Sequence, residues 1–328
     1  MAIKHEYEWY FEKNEDLHQL ARVNATVKKF YGAVESRPRN LSGVDMLAAG
    51  FPCQPFSQGG SGEGVRDKLK RGTVIFEIKE LITELPEKPR LLLLENVSGM
   101  YFRHKELLAQ IVSEIEALGY YPQVWMLSSL DCGVPHHRIR LWITGILKTC
   151  LVKFPSPPKP LKHLPKLTDG FLRLEATVET RRLTERERKL VDRVVQDQAA
   201  SSCEHPILID IESSETFGNF SVGRVMCLTK ARAEAGGYYI VQRKSMLTTS
   251  EMALLMGLST EAIETMEGTG IEEKTLRGAL GNAQAINVLE RVLGHPTQRA
   301  VDVDVVLVLC AMEAVAAIAL RQSILVGI

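Results

Sequence analysis

The sequence predicts an α/β fold, in which helices cover both faces of a mostly parallel sheet and a smaller second domain follows. Short apolar segments with strand character alternate with segments whose apolar residues recur at helical spacing, as expected for such a sheet. Five prolines between positions 155 and 165 then mark a linker. The large domain is therefore expected within residues 1–150.

The elements of the large domain follow from their local patterns. An aromatic strand is expected at 7–11 and an amphipathic helix at 16–31. The same reasoning predicts a longer series: a strand at 44–51, a helix at 73–85, a buried strand at 91–96, a helix at 105–118, and two strands at 123–129 and 138–146 paired at a sheet edge. Ligands of parallel sheets lie beyond the carboxyl ends of the strands, where Cys53 and Glu95 are expected.

Composition indicates an ordinary globular protein. The 328 residues, 45% of them hydrophobic, can bury a full core. Forty basic and forty acidic residues balance, which argues against coating nucleic acid by bulk charge and leaves only local binding. Six scattered cysteines without a Cys-x-x-Cys pair, and no signal-peptide pattern, predict an intracellular location without a structural metal site.

Cys53 and Glu95 are the candidate chemical groups. Cys53 directly follows Pro52, just after an apolar segment. A stiff strand-to-loop turn is therefore expected to expose its thiol. Glu95 ends an apolar strand, and a thiol with a carboxyl group suits attack on an electron-poor ring. Taken singly, each has a simpler interpretation, an inert buried thiol and a solvated strand end.

Several motifs share their order and spacing with a known family. Residues 50–57 (GFPCQPFS), 95–97 (ENV), 138–140 (RIR) and 281–283 (GNA) resemble the motifs of the S-adenosylmethionine-dependent DNA (cytosine-5) methyltransferases. The resemblance implies a class I methyltransferase-like, Rossmann-like fold. It further implies a catalytic domain at 1–150, a linker and target-recognition domain at 151–245, a return to the catalytic domain at 246–294 and an atypical apolar extension at 295–328.

The resemblance also implies catalytic roles. Cys53 would add to C6 of a cytosine that is flipped out of double-stranded DNA, the expected partner. Glu95 would donate to N3, and the planar fork of Arg140 would reach O2. Arg138, expected on the same strand face, would lie near the cysteine loop or a phosphate. Without Cys53 and Glu95, the two arginines have the simpler interpretation of an exposed strand face.

The implied cofactor is S-adenosylmethionine. Glu12 resembles the acid that binds its ribose, and Asp45 the acid near its adenine. Pro52 and Asn282 complete the implied cofactor contacts. A surface carboxylate is the simpler interpretation of both acids. The loop 57–72, rich in glycine and then in basic residues, has the composition of a lid over the flipped base, with a merely disordered loop as the alternative.

Two departures from the family pattern keep alternatives open. His136 stands where the family has Gln, and only six residues precede the first predicted strand, where the family has a further strand and a Gly-rich turn. A truncated product, a strand supplied by another chain and a loss of methyl transfer all fit. The alternatives to a DNA methyltransferase are a catalytically inactive DNA-binding relative, an RNA cytosine methyltransferase and an unrelated thiol enzyme.

The carboxyl-terminal segment is apolar, and its sequence predicts a helix or strand that packs on the protein. Residues 301–320 are apolar but include three acids, too many for a membrane span. A docked helix or strand is expected instead. Residues 303–309 have strand character and are a candidate for the vacant position in the sheet. The family resemblance implies a DNA-associated location, the nucleus in a eukaryote or the cytoplasm and nucleoid in a bacterium.

Overall fold

The computed structural model describes residues 7–24, 26–51, 74–172, 181–199 and 205–293, together with the backbone of 307–310. These residues belong to two compact units. The first unit lies within 1–128, 139–159 and 288–328, and the second within 129–138 and 160–287.

A mixed sheet forms the centre of the first unit. Its seven described strands stand in the order β2-β1-β11-β3-β4-β6-β5. Their bounds are β1 Tyr7–Phe11, β2 Val27–Tyr31, β3 Met46–Gly50, β4 Leu91–Val97, β5 Tyr120–Ser128, β6 Ile139–Leu147 and β11 Leu307–Cys310. The strands from β2 to β4 run parallel, whereas β6 is antiparallel to both β4 and β5. The predicted α/β fold with a hairpin pair at one edge is confirmed.

The last described strand occupies the middle of this sheet. β11 is parallel to β1 on one side, with Phe11 opposite Cys310, and to β3 on the other, with Met46 opposite Leu307. Chain direction across the sheet reverses here, because β1 leads outward to β2 while β3 leads to β4 on the opposite side. Such a switch point is where open α/β sheets bind ligands. The expected strand character of 303–309 thus appears at 307–310.

Four described helices belong to the same unit before the linker: α1 Glu15–Asn24, α2 Val74–Glu84, α3 Ser98–Arg103 and α4 Lys105–Ala117. A fifth helix, α10 Ile286–Val292, lies at the boundary between the units. Buried apolar residues of α2 and α4 join those of β3, β4 and β6 in one core. Four consecutive leucines make β4 apolar on both faces, as a central covered strand requires.

The structure corrects one predicted helix. The helix expected at 16–31 ends at Asn24, and Val27–Tyr31 forms strand β2 instead. Val27, Phe30 and Tyr31 are β-branched or aromatic residues, which lose side-chain freedom in a helix and pack well on a half-exposed strand. Tyr31 stacks on Phe11 of the neighbouring strand, with ring centroids 5.1 Å apart. This contact between strands overrides the helical spacing of the sequence.

The second unit contains a small antiparallel sheet. Its strands stand in the order β10-β9-β7-β8 and comprise β7 Ile207–Asp210, β8 Phe220–Val222, β9 Tyr238–Ile240 and β10 Ser245–Met246. The remaining helices are α5 Glu185–Ala199, α6 Lys230–Glu234, α7 Thr249–Leu255, α8 Thr260–Glu267 and α9 Glu273–Asn282. Leu190 and Val194 of α5 pack with Ile207 and Ile209 of β7 in a core of this unit.

The two units divide the chain differently from the predicted domains. Residues 246–287 group with the second unit, whereas a return to the catalytic domain was expected at 246–294. α9 explains the grouping, since it packs against α6 and α7 of the same unit. Among the described residues, no helix combines the length and the apolar character needed to span a membrane.

Candidate active site

The carboxyl end of β4 organises the candidate site. The sheet register places Glu95 opposite Gly50 of β3 on one side and opposite Trp142 of β6 on the other. Two residues along, Val97 is opposite Arg140. Because side chains alternate along a strand, Arg140 and Trp142 point to the same face, and Glu95 therefore lies diagonally across from Arg140.

Glu95 and Arg140 form an ion pair. Nε of Arg140 lies 3.0 Å from Oε1 of Glu95, and the side chains are only 12% and 10% exposed respectively. Nη1 of Arg140 also donates to the carbonyl of Ile139, at 2.9 Å, which holds the guanidinium in position. The structure therefore brings together the two residues expected to share one base. A carboxylic acid in its protonated form, beside a fixed arginine, can donate hydrogen bonds to two neighbouring polar atoms of a planar ring.

Asn96 connects this site to the cysteine loop. Its side-chain Nδ2 donates to the carbonyl of Phe51, at 3.2 Å, and its Oδ1 accepts from the backbone N–H of Val97. Asn96 is 1% exposed, so these bonds are buried. Phe51 is the last described residue before Pro52 and Cys53, which lie outside the described residues together with the predicted lid at 57–72. The described chain thus leads to within two positions of Cys53 at the edge where Glu95 lies.

Glu12 lies at the same edge of the sheet. It directly follows β1, its backbone N–H bonds to Tyr31, and its Oε1 accepts from the N–H of Asn14. Next to it, Lys13 pairs with Glu35 at 3.0 Å. A half-buried carboxylate at the end of a strand beside the switch point fits a ribose hydroxyl. Glu35 is a second acid at this edge that the motifs did not single out, because no strand pattern leads into it.

Asp45 lies at the opposite edge and corrects the predicted cofactor set. It precedes β3, its carbonyl accepts from the N–H of Leu91 at the start of β4, and its carboxylate pairs with Arg90 at 3.4 Å. Parallel strands place all their amino ends at one edge, so Asp45 stands a full strand length from Glu12 and Glu95. This position is inconsistent with the adenine contact that the resemblance implied.

Arg138 is buried, which is inconsistent with the expected phosphate contact; its expected place near the cysteine loop involves residues outside those described and stays a prediction. Arg138 precedes β6, which begins at Ile139, and its side chain is 1% exposed. Its guanidinium donates to the carbonyls of Leu228, Gly281 and Ala283, at 2.6, 3.2 and 2.6 Å. These bonds hold separate segments of the second unit together. A buried guanidinium bonded in this way positions the backbone and does not bind a phosphate.

His136 works beside Arg138 in the same unit. It is fully buried, its Nε2 accepts from the N–H of Leu228 at 3.0 Å, and its Nδ1 lies 3.0 Å from the carbonyl of Leu255. Nδ1 must therefore carry the proton of a neutral ring. Burial lowers the pKa of His136 below its ordinary value, against smaller opposing effects of Cys227. The glutamine of the family pattern also has one donor and one acceptor group. His136 can therefore make the same two kinds of hydrogen bond in its place.

Asn282 is the last residue of α9 and belongs to the second unit. The glycine before it is required by packing, because a Cβ at Gly281 would lie 2.7 Å from the backbone N of Lys230 and the carbonyl carbon of Thr229. The predicted motif at 281–283 therefore has a structural reason within its own unit. A cofactor contact by Asn282 remains a prediction.

Comparison with known proteins identifies the family. The family model described as "C-5 cytosine-specific DNA methylase" matches residues 2–295. The chain belongs to this family. Among the described residues, no group of three or more His, Cys, Asp or Glu side chains could hold a metal ion.

Individual members of the C-5 cytosine-specific DNA methylase family resemble most of the chain. Type II methyltransferase M.NgoBI of Neisseria gonorrhoeae is 30% identical over 273 residues, which cover 83% of this chain and 80% of that protein. Type II methyltransferase M.HaeII of Haemophilus aegyptius is 28% identical over 278 residues, covering 84% and 80%.

Solved structures confirm the class I methyltransferase fold. The Entamoeba histolytica methyltransferase EhMeth matches with a TM-score of 0.57 at 14% identity, covering 89% of this chain and 98% of that one. The S. pombe Dnmt2 methyltransferase matches with a TM-score of 0.56 at 15% identity, covering 87% and 88%. Identities this low show the shared fold alone.

Proposed function

We propose that this member of the family transfers a methyl group from S-adenosylmethionine to C5 of a cytosine flipped out of duplex DNA, through a covalent adduct with Cys53. The ion pair of Glu95 and Arg140 carries this proposal. It joins an acid and a cation with Nε and Oε1 3.0 Å apart, at the edge where the chain leads into Pro52 and Cys53. Activation of a cytosine requires a nucleophile, a donor at N3 and a cation near O2, and these groups would supply all three.

The first step is addition of the Cys53 thiolate to C6 of the base. The sulfur–carbon bond forms as the C5–C6 double bond opens, and negative charge develops at C5, N3 and O2. Glu95 donates a proton or hydrogen bond at N3, while Arg140 stabilises charge at O2. S-adenosylmethionine supplies the electrophilic methyl group when it is bound. Water then removes the C5 proton, which restores the C5–C6 double bond and releases the thiolate, while N3 returns its proton to Glu95.

Cofactor contacts are proposed for three residues. Glu12 fits a ribose hydroxyl, because it follows β1 at the carboxyl edge of the sheet, beside the switch point occupied by β11. Pro52 and Asn282 are retained from the family resemblance. Asp45 is not included, because its pairing with Arg90 is at the amino edge. Calorimetric binding of S-adenosylmethionine to wild type and Glu12→Ala separates this proposal from an inactive DNA-binding relative.

The proposed substrate is double-stranded DNA. A DNA-associated location is proposed for the same reason. A base within a stacked duplex cannot be attacked at C6, so it must be flipped into the site. Methyl transfer measured in competition between tRNA and duplex DNA tests this choice. A preference for tRNA would favour an RNA cytosine methyltransferase.

The decisive experiment concerns Cys53. Cys53→Ser is expected to abolish methyl transfer while leaving DNA binding largely intact, because a hydroxyl is a far poorer nucleophile than a thiolate. Incubation of wild type with cofactor and DNA containing 5-fluorocytosine should trap a covalent complex. Cys150→Ser is the matched control, since this half-buried free thiol lies outside the candidate site. Activity on ordinary DNA without any adduct at Cys53 would contradict the mechanism.

A further inference from the structure

A pair of exposed aromatic rings lies on α3, the short helix that directly follows β4. Tyr101 is 41% exposed and Phe102 is 62% exposed. Their rings meet edge to face, with centroids 5.3 Å apart and an interplanar angle of 85°. The preceding residue, Met100, is completely buried and anchors the helix, so the two rings are held on the surface.

The position of α3 places this aromatic pair near the candidate site. α3 begins at Ser98, immediately after the end of β4, and packs against both β4 and β6. It therefore lies where Val97 is opposite Arg140. The aromatic pair is thus at the carboxyl edge of the sheet, close in sequence and in packing to the ion pair of Glu95 and Arg140.

Charged residues accompany the two rings. Arg103 and Lys105 are exposed and His104 is half-buried, whereas Glu106 is the acid that follows them. A single exposed apolar residue needs no explanation, but adjacent aromatic rings beside cations are typical of surfaces that bind a nucleic-acid strand. The rings stack on bases or sugars, and the cations contact phosphates.

We propose that Tyr101 and Phe102, together with Arg103 and Lys105, contact the DNA strand beside the flipped cytosine. The inference rests on the proposed function and extends it to strand binding. Flipping removes a base from the stack and leaves its neighbour with one uncovered face. An aromatic ring fixed at the same edge as Glu95 covers that face, while Arg103 and Lys105 neutralise the adjacent phosphates.

The molecule contains a matched control pair at the other edge of the same sheet. Tyr121 and Phe154 also meet edge to face, with centroids 5.3 Å apart and an interplanar angle of 75°. Phe154 is 58% exposed, a fraction close to the 62% of Phe102. The ammonium group of Lys148 lies over the Tyr121 ring. Tyr121 is opposite Ile146, which is opposite Leu91 at the start of β4. Phe154 is therefore matched to Phe102 in ring type and exposure but lies near the amino end of β4, whereas Tyr121 is more buried than Tyr101.

The test compares Phe102→Ala, Tyr101→Ala and Phe154→Ala in the full-length chain. Binding is measured by fluorescence anisotropy with a labelled duplex that contains a single-stranded gap, and with the fully paired duplex. Phe102→Ala is expected to weaken binding of the gapped duplex about tenfold, the scale of one lost stacking contact, with a smaller effect on the paired duplex. Phe102→Tyr should retain the affinity, and Phe154→Ala should match wild type.

Methyl transfer to unmethylated bacteriophage DNA gives a second measurement. Phe102→Ala should raise KM for DNA more than it lowers kcat, since its role is in binding the strand. Thermal melting checks that each variant is folded. Equal gapped-duplex affinities of Phe102→Ala and Phe154→Ala would overturn the inference. If wild type transferred no methyl group, the proposed function would fail, whereas the gapped-duplex measurement would still decide on this surface.

Discussion

At the scale of single residues, the proposed attack on a base depends on the ion pair of Glu95 and Arg140. Each side chain holds the other in place, with both nearly buried. In a site of low dielectric the contact keeps both side chains in a fixed orientation, and a hydrogen bond to a bound ring is stronger there than in water. In the proposed mechanism the protonated form of Glu95 donates to N3. The two residues should therefore act on one transition state and not independently.

A double-mutant cycle tests this coupling. Glu95→Gln and Arg140→Ala are each expected to slow single-turnover methylation by about 10²-fold or more, the usual scale for a positioned general acid. The double variant should be much less than multiplicatively worse, since residues serving one transition state are not additive. Arg90→Ala is the matched control, because it breaks an ion pair at the opposite edge of the sheet. Fully multiplicative losses would show independent roles, and an unchanged rate in Glu95→Gln would remove it from the site.

Sequence could predict the pairing of Glu95 with Arg140 but not the true positions of Arg138 and Asp45. The position of a residue at the end of an apolar strand can be predicted, as for Glu95. Alternation along the strand predicts the direction of a side chain within a strand, as for Arg140. Arg138 precedes its strand by one residue, so alternation does not fix its direction. Asp45 resembles a family acid by its position in the sequence, but it lies at the amino end of β3, whereas parallel sheets bind ligands beyond the carboxyl ends of their strands.

At the scale of elements, buried side chains join segments that are distant in sequence. His136 connects the backbones of Leu228 and Leu255 through its two ring nitrogens. Arg138 connects Leu228 with Gly281 and Ala283. Such tertiary contacts also decide element type, as in the strand at Val27–Tyr31, and periodicity along the sequence contains no information about them.

Protonation of His136 should destabilise the second unit. Burial lowers its pKa in the folded chain, whereas the unfolded chain keeps the ordinary value of 6.5. The unfolded state thus binds the proton more readily, so stability is full above pH 6.5 and falls as the pH drops below it. Protonation also removes the acceptor for the N–H of Leu228.

We expect His136→Gln to lose less stability than wild type between about pH 7 and about pH 5, since glutamine keeps both hydrogen bonds without titrating. Urea denaturation followed by tryptophan fluorescence at several pH values measures the difference. Exposed His137, substituted in the same way, controls for the loss of an imidazole. A wild-type stability as flat with pH as that of the glutamine variant would contradict the assignment.

At the scale of the whole molecule, the middle of the sheet comes from a remote part of the chain. β11 provides hydrogen-bonding partners for β1 and β3, two strands that belong to the first fifty residues. The strand character of this segment could be predicted from its apolar residues. Its place in the sheet agrees with the expectation that 303–309 fills a vacant position, because β11 lies between β1 and β3.

Removal of β11 should therefore destabilise the first unit more than removal of the residues beyond it. A chain ending at Leu293 leaves β1 and β3 each without its described neighbour, and unpaired strand edges also favour association between chains. We expect its melting temperature to fall by about 5 °C or more, the change produced by one to two kcal/mol in a unit of this size. A chain ending at Cys310 keeps the strand and is the matched control. Calorimetry with light scattering measures both effects, and equal melting temperatures for the two truncated chains would show that β11 contributes nothing to the stability of the sheet.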